Sequence, residues 1–172
     1  TDIDDVITNC QMAYIAVPTP AAEDGTCDVT IVEEVLSELP EGFIAVLKST
    51  VIPGTTARLQ NQFPHLKIAY SPEFLVERNR LHDFANQSIL IVGTEHPDVA
   101  ELVFEQHRQA GVLIGDNTYH VSSTEAEMVK YTKNNFYALK VVFANQMHDI
   151  CEAMGIEWST IKQIITSPQN QP

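Results

Sequence analysis

Between Gly115 and Gly155 the chain carries neither glycine nor proline, and no other feature restricts the fold so tightly. Ser122 with Glu125, or Thr124 with Glu127, has the reciprocal spacing of a capping box, and Gly155 supplies a stop. The spacing predicts one helix over 122–155, about 45 Å long at about 1.5 Å per residue, well beyond the usual globular helix. Val129, Phe136, Leu139, Phe143, Met147, Ile150 and Met154 recur three, four or seven apart. They form one apolar stripe, which is expected to be buried. On another face Lys130, Asn134, Tyr137, Val141 and Asn145 follow the same spacing, placing an ammonium and a carboxamide one turn apart. Such a rod joins two bodies or pairs with a copy of itself.

The residues before it alternate between short apolar runs and amphipathic stretches. Thr1–Asn9 reads as a short capped helix, and Met12–Val17 as a strand apolar enough to be covered on both faces. A helix carrying Val29, Val32, Val35, Leu36 and Leu39 follows, then strand Phe43–Leu47, helix Thr55–Phe63 and strand Leu66–Tyr70. After a loop from Ser71 to Asn86 come strand Ser88–Val92, a helix near Pro97–Arg108 and a weak strand at Tyr119–Val121. Strands alternating with helices predict an α/β fold with a mostly parallel sheet. A short helix, Glu157–Ile165, follows the long one. Loops 18–28, 48–54 and 71–86 leave the carboxyl ends of strands, where open parallel sheets bind ligands. All three are polar and shaped by proline or glycine.

With 172 residues, 44% hydrophobic, the chain can bury a real core. A net charge of −13 disfavours nucleic acid and anionic membrane surfaces, both of which draw on Lys and Arg. Neither a charged-then-apolar leader nor an apolar run of membrane-spanning length is present in these residues, so secretion and membrane insertion are not expected. Cys10, Cys27 and Cys151 are far apart and lack zinc spacing. They point to small buried hydrophobes in a reducing, cytoplasmic setting. Six dispersed histidines offer no ligand spacing, and no metal is assigned. The start at Thr1, close to a strand, suggests a processed, trimmed or excised piece.

Four stretches carry a resemblance. They are Val17-Pro18-Thr19-Pro20 with Asp24-Gly25; Lys48-Ser49-Thr50-Val51 with Pro53-Gly54-Thr55; Ser71-Pro72-Glu73-Phe74-Leu75 with Glu77 and Asp83-Phe84; and Ala126-Glu127-Met128-Val129-Lys130-Tyr131 with Asn134, Phe136, Ala138, Lys140 and Asn145. In this order, over nearly the whole chain, they resemble the UDP-glucose/GDP-mannose dehydrogenase family. The resemblance implies a partial Rossmann-like sheet, with residues 1–121 the later half of an NAD-binding domain. Residues 122–172 would be a long linker and dimerisation helix with the start of the next domain. It implies oxidation of the C6 alcohol of a nucleotide sugar to a carboxylate in two hydride transfers to NAD, through a cysteine thioester. UDP-glucose is the first choice of substrate and GDP-mannose the alternative.

By the same resemblance Glu73 activates or orients the hydrolytic water, Thr50 hydrogen-bonds it, Lys130 stabilises the oxyanion and Asn134 supports the site. Phe74, Leu75 and Glu77 take substrate-loop positions, and Val17, Pro18, Thr19, Ser49 and Glu77 lie along the cofactor. Taken alone, Lys130 and Asn134 read as solvated helix residues, Glu73 and Glu77 as loop carboxylates and Thr50 as a turn former. The surrounding motifs favour the active-site reading. Four departures stand out. No G-x-G-x-x-G turn for the NAD pyrophosphate is present, and none of the three cysteines matches the family's nucleophile segment. Arg78-Asn79 stands where a glycine usually follows the second glutamate, and Gln146 replaces an acidic residue after Asn145. These 172 residues alone are therefore expected to be inactive, and a non-catalytic dimerising or binding module remains the competing class.

Overall fold

The computed structural model describes residues 3–75 and 77–167, with only the backbone at Glu77. The chain divides into two compact units, Thr1–Tyr131 and Thr132–Pro172. The first unit is built on five strands: β1 Met12–Ile15, β2 Ile44–Leu47, β3 Lys67–Tyr70, β4 Leu90–Gly93 and β5 Thr118–Val121. They lie side by side in that order. Helix α1 (Ile3–Asn9) precedes β1; α2 (Thr30–Glu38) and α3 (Thr55–Gln62) connect β1 to β2 and β2 to β3. A 3-10 turn at Glu77–Asn79 and α4 (Arg80–Ala85) follow β3, and α5 (Pro97–Gln109) links β4 to β5.

Side chains alternate across the pleat, and both faces of the sheet are used. Ala45, Leu47, Ile68 and Tyr70 pack with Val32 and Leu36 of α2 and Leu59 of α3. Val46, Ala69, Leu90 and Val92 pack on the other face with Val99, Ala100, Val103 and Phe104 of α5. The predicted elements are present among the described residues, with the start of the first helix at Thr1 and Asp2 lying outside them and with two differences. β1, β2 and β3 run parallel, as do β4 and β5, but β3 meets β4 antiparallel, at Tyr70 and Gly93. Strand–helix alternation is blind to that reversal. Loop 71–86 also contains α4, whose six residues are too short for a periodic signal.

β1 is an edge strand, and Tyr14 is exposed rather than covered on both faces. Its hydroxyl donates to Gln106 Oε1 at 2.9 Å and its ring meets His107 edge-on, so the polar tip reaches a partner on α5. Of the cysteines only Cys151 is buried; Cys10 is exposed and Cys27 intermediate, which corrects the expectation of three buried hydrophobes.

The long helix α6 covers Ser123–Ala153. Its predicted capping box forms: Ser122 N–H donates to Glu125 Oε2 at 2.9 Å, and Glu125 N–H to Ser122 Oγ at 3.3 Å. In the second unit α6 ends where Gly155 takes φ +68° and Ile156 N–H closes on Cys151 O at 2.8 Å, the left-handed stop that glycine allows. Helix α7 (Trp158–Ile165) follows, with the Glu157 side chain accepting from Ser159 N–H. Phe136, Leu139, Phe143, Ile150 and Met154 of the apolar stripe are all at least half exposed. The described residues of this unit therefore leave these five side chains uncovered.

Candidate functional site

Because β1, β2 and β3 are parallel, loops 16–29, 48–54 and 71–79 all leave the sheet at one end. Short-range chemistry binds the first loop to the second. Ser49 Oγ donates to Val17 O at 2.7 Å and accepts from Val17 N–H at 2.9 Å, so one buried hydroxyl satisfies both main-chain groups of Val17. Thr19 Oγ1 donates to Thr50 O at 2.6 Å. Val17, Thr19, Ser49 and Thr50 are thus one cross-linked ledge. Ser49 serves it from below, only 7% exposed, while Pro18 and Thr50 stand exposed on it.

The first turns of α6 reach the other loops. Lys130 Nζ donates to the main-chain oxygen of Glu73 at 2.6 Å and lies 5.9 Å from the centre of the Phe74 ring, within cation–π range. Burial pulls the Lys130 ammonium below the ordinary lysine range, and the negative charge of Glu73 opposes that shift. Glu73, Phe74 and Leu75 are all partly buried. The structure therefore brings Lys130, Glu73 and Phe74 together. Asn134 is exposed on α6 in the second unit. The side chain of Glu77 lies outside the described residues; its backbone opens the 3-10 turn that carries Arg78.

Glu127, read in the sequence only as an alternative capping-box and motif residue, and Gly93, which was given no role, seat this helix. Glu127 is fully buried; its Oε2 accepts from Gly54 N–H at 2.6 Å, and its Oε1 from Thr56 N–H at 2.7 Å and Thr56 Oγ1 at 2.6 Å. A carboxylate at the amino end of α3 takes up main-chain donors that the helix itself leaves unpaired. It also fixes loop 48–54 relative to α6. Gly93 ends β4 directly beneath the helix: a Cβ there would stand 2.6 Å from Ala126 Cβ and 2.7 Å from Ser123 Cα. Only glycine permits that approach. A signal for both was present, since Ser123, Ala126, Glu127 and Lys130 share helical spacing, and these are the positions that α6 buries or half-buries in the first unit.

Beside Glu73 a cavity of about 430 Å³ runs along the α5 face, lined by Tyr14, Lys48, Glu73, Phe84 and His107 among others. Burial lowers the His107 imidazole below its ordinary range, and its Nδ1 lies 2.8 Å from Val103 O. Among the described residues one group, His148, Asp149 and Glu152, brings three metal-capable atoms within 4.8 Å of one another. All three are exposed on α6, the ordinary condition of solvated helix residues. No helix among the described residues is long and apolar enough to cross a membrane.

A parallel three-strand edge with its loops gathered over the carboxyl ends defines a Rossmann-type α/β unit, here carrying a lysine–glutamate contact supplied by a long helix. Comparison with known proteins agrees. Residues 1–111 match the UDP-glucose/GDP-mannose dehydrogenase family, NAD binding domain, and residues 124–171 match the central domain of the same family. The chain belongs to this family. It is 28% identical over 186 residues to the UDP-glucose 6-dehydrogenase AglM of Haloferax volcanii, covering 96% of this chain and 42% of that protein. It is 27% identical over 182 residues to the GDP-mannose 6-dehydrogenase of Pseudomonas aeruginosa, covering 96% and 41%. Among solved structures, a UDP-glucose dehydrogenase from Pyrobaculum islandicum superposes with a TM-score of 0.84 at 26% identity, covering 98% of this chain and 41% of that one. The chain thus spans about two fifths of the length of the relatives it matches.

Proposed function

We propose that this chain is the part of a nucleotide-sugar dehydrogenase that carries the Glu73–Lys130 face of the active site, oxidising the C6 alcohol of UDP-glucose to a carboxylate. The observation that supports it is the hydrogen bond from Lys130 Nζ to Glu73 O. It ties an ammonium to the loop whose carboxylate is the candidate base, at the end of the sheet where such folds bind ligands. Held on a carbonyl in a partly buried position, the ammonium is fixed where it can stabilise negative charge that develops on a reacting oxygen. Glu73, in the adjoining cavity, orients or deprotonates water, and Thr50 offers its hydroxyl from the ledge. Phe74 and Leu75 form the substrate loop with Glu77, and Asn134 lies one turn beyond Lys130 on α6. Residues 1–121 belong in this reading to the cofactor-binding domain and 122–172 to the helix that begins the next.

NAD, when bound, supplies the hydride acceptor for each of the two oxidation steps. The ledge suits its uncharged part: Val17 and Pro18 offer apolar atoms, and Thr19 and Ser49 have spent their hydroxyls on neighbouring main chain. The ledge does not suit the pyrophosphate, because no Lys or Arg stands anywhere from Met12 to Leu47. The exposed stripe of α6 supports a homodimer formed through that helix, since each large apolar side chain removed from water contributes about 1.5–3 kcal/mol. The test is NADH formation by the protein that contains this chain, offered UDP-glucose and GDP-mannose separately. Turnover of UDP-glucose is expected; turnover of GDP-mannose alone would reassign the substrate, and turnover of neither would overturn the proposal.

A further inference from the structure

Lys48 follows β2 on the face that α5 covers, and its Nζ is buried without a hydrogen-bond partner. An unpaired buried ammonium is among the least favourable groups a fold can hold. Four titratable groups face it: Glu73 from the loop after β3, Lys130 from α6, His107 from α5 and Tyr14 from β1. Burial brings Lys48 down to about 8; the charge of Glu73 opposes that and the charge of Lys130 adds to it. Lys48 therefore remains mostly protonated at neutral pH inside a cavity it shares with the Glu73 carboxylate.

A second fact gives this placement a purpose. Lys130 donates to the main-chain oxygen of Glu73 and forms no ion pair with its carboxylate. Two oppositely charged side chains in one partly buried site ordinarily close on each other, since their attraction is stronger away from bulk water. Had they done so, the candidate base and the candidate oxyanion partner would neutralise one another. We propose that Lys48 is a positioning residue acting through Glu73: its buried ammonium balances the Glu73 carboxylate from the cavity side and leaves Lys130 on the carbonyl, free to face a reacting oxygen. The inference rests on the reading of Glu73 and Lys130 as the working pair.

Heteronuclear NMR titration of the lysine side-chain signals in the 172-residue chain tests it without any need for catalysis. Lys48→Met keeps the apolar stem and removes a buried charge, so the fold is retained, with a melting temperature at neutral pH no lower than that of the unmodified chain. In that variant Glu73 closes on Lys130, whose proton affinity rises about threefold or more. His107 also titrates higher, having lost a neighbouring positive charge. Lys48→Arg keeps the charge and leaves Lys130 where it was. An unchanged Lys130 titration in folded Lys48→Met overturns the inference. If that variant does not fold, Glu73→Gln gives the reciprocal reading: Lys48 titrates below about 8 when its counter-charge is gone, and an unmoved Lys48 overturns the inference equally. A protein that oxidises UDP-glucose while Lys48 and Lys130 titrate independently would sink this inference and leave the proposed function standing.

Discussion

Replacing Glu127 with glutamine removes one oxygen from a carboxylate that has three donors and no solvent. In the native arrangement Oε1 serves Thr56 N–H and Thr56 Oγ1, and Oε2 serves Gly54 N–H. The glutamine oxygen can keep the Thr56 pair. Its NH2 group then confronts Gly54 N–H, donor against donor, and both are left unsatisfied in a fully buried place. A buried polar group without a partner costs about 1–3 kcal/mol, and bonds to a charged acceptor exceed neutral ones, so the expected loss is about 3 kcal/mol. For a chain of this size about 1 kcal/mol moves the melting temperature by about 2–4 °C, which places the shift at about 6–12 °C. Circular dichroism melts of Glu127→Gln and Glu127→Leu should both show it, leucine at least as strongly, because all three donors then go unpaired. Glu125→Gln, at the exposed capping box, is the control and should move far less. If Glu127→Gln melts with the unmodified chain, or no lower than Glu125→Gln, the clamp does not hold α6 against α3 and the account of how Lys130 is placed fails.

Gly93→Ala should lower the melting temperature clearly, since its Cβ must displace backbone of α6 and overpacking costs about 1–3 kcal/mol; Gly42→Ala, where the added atom meets open space, tests strain alone and should be milder. His107 takes up a proton less readily when folded, because it is buried, so between its folded value and about 6.5 the unfolded chain binds more protons and stability falls as pH drops. Melts from pH 7.5 to 5.5, a window set by the ordinary value of about 6.5, should show a flatter limb for His107→Gln than for the unmodified chain. Phe143→Asp with Met147→Asp should convert the expected dimer to monomer or aggregate in sedimentation; an unmodified chain that is monomeric at every concentration would refute pairing through the stripe.

The fold was legible where chemistry is local. The capping box at Ser122 and Glu125 and the stop at Gly155 were readable because each depends on residues within one turn. Family motifs put Lys130, Glu73 and Phe74 among the candidate site residues, whereas periodicity alone left Lys130 a solvated lysine; neither foretold that its Nζ would rest on the Glu73 carbonyl. Glu127 was missed because a glutamate in a first helical turn reads as a capping or surface residue, although it shares a face with Ser123 and Ala126. Lys48 was quoted within a motif, yet nothing local says that a lysine after a strand has its Nζ buried. The reversal between β3 and β4 was hidden because a connection of given length can return a strand in either sense. The stripe of α6 was read as a burial signal, but periodicity reports only which side chains share a face, and five of its large apolar groups stand at least half exposed among the described residues.

The most direct test of the account is the kinetics of Lys130→Ala in the protein that contains this chain, with UDP-glucose and NAD as substrates. An ammonium held for the transition state, and only loosely involved in ground-state binding, lowers kcat when removed and leaves KM nearly unchanged. The expected loss is about 10²- to 10³-fold in kcat, in a variant whose melting temperature shows it folded. A kcat near that of the unmodified protein, with the same pH dependence, would make Lys130 a structural tether for loop 71–79 and contradict the central claim.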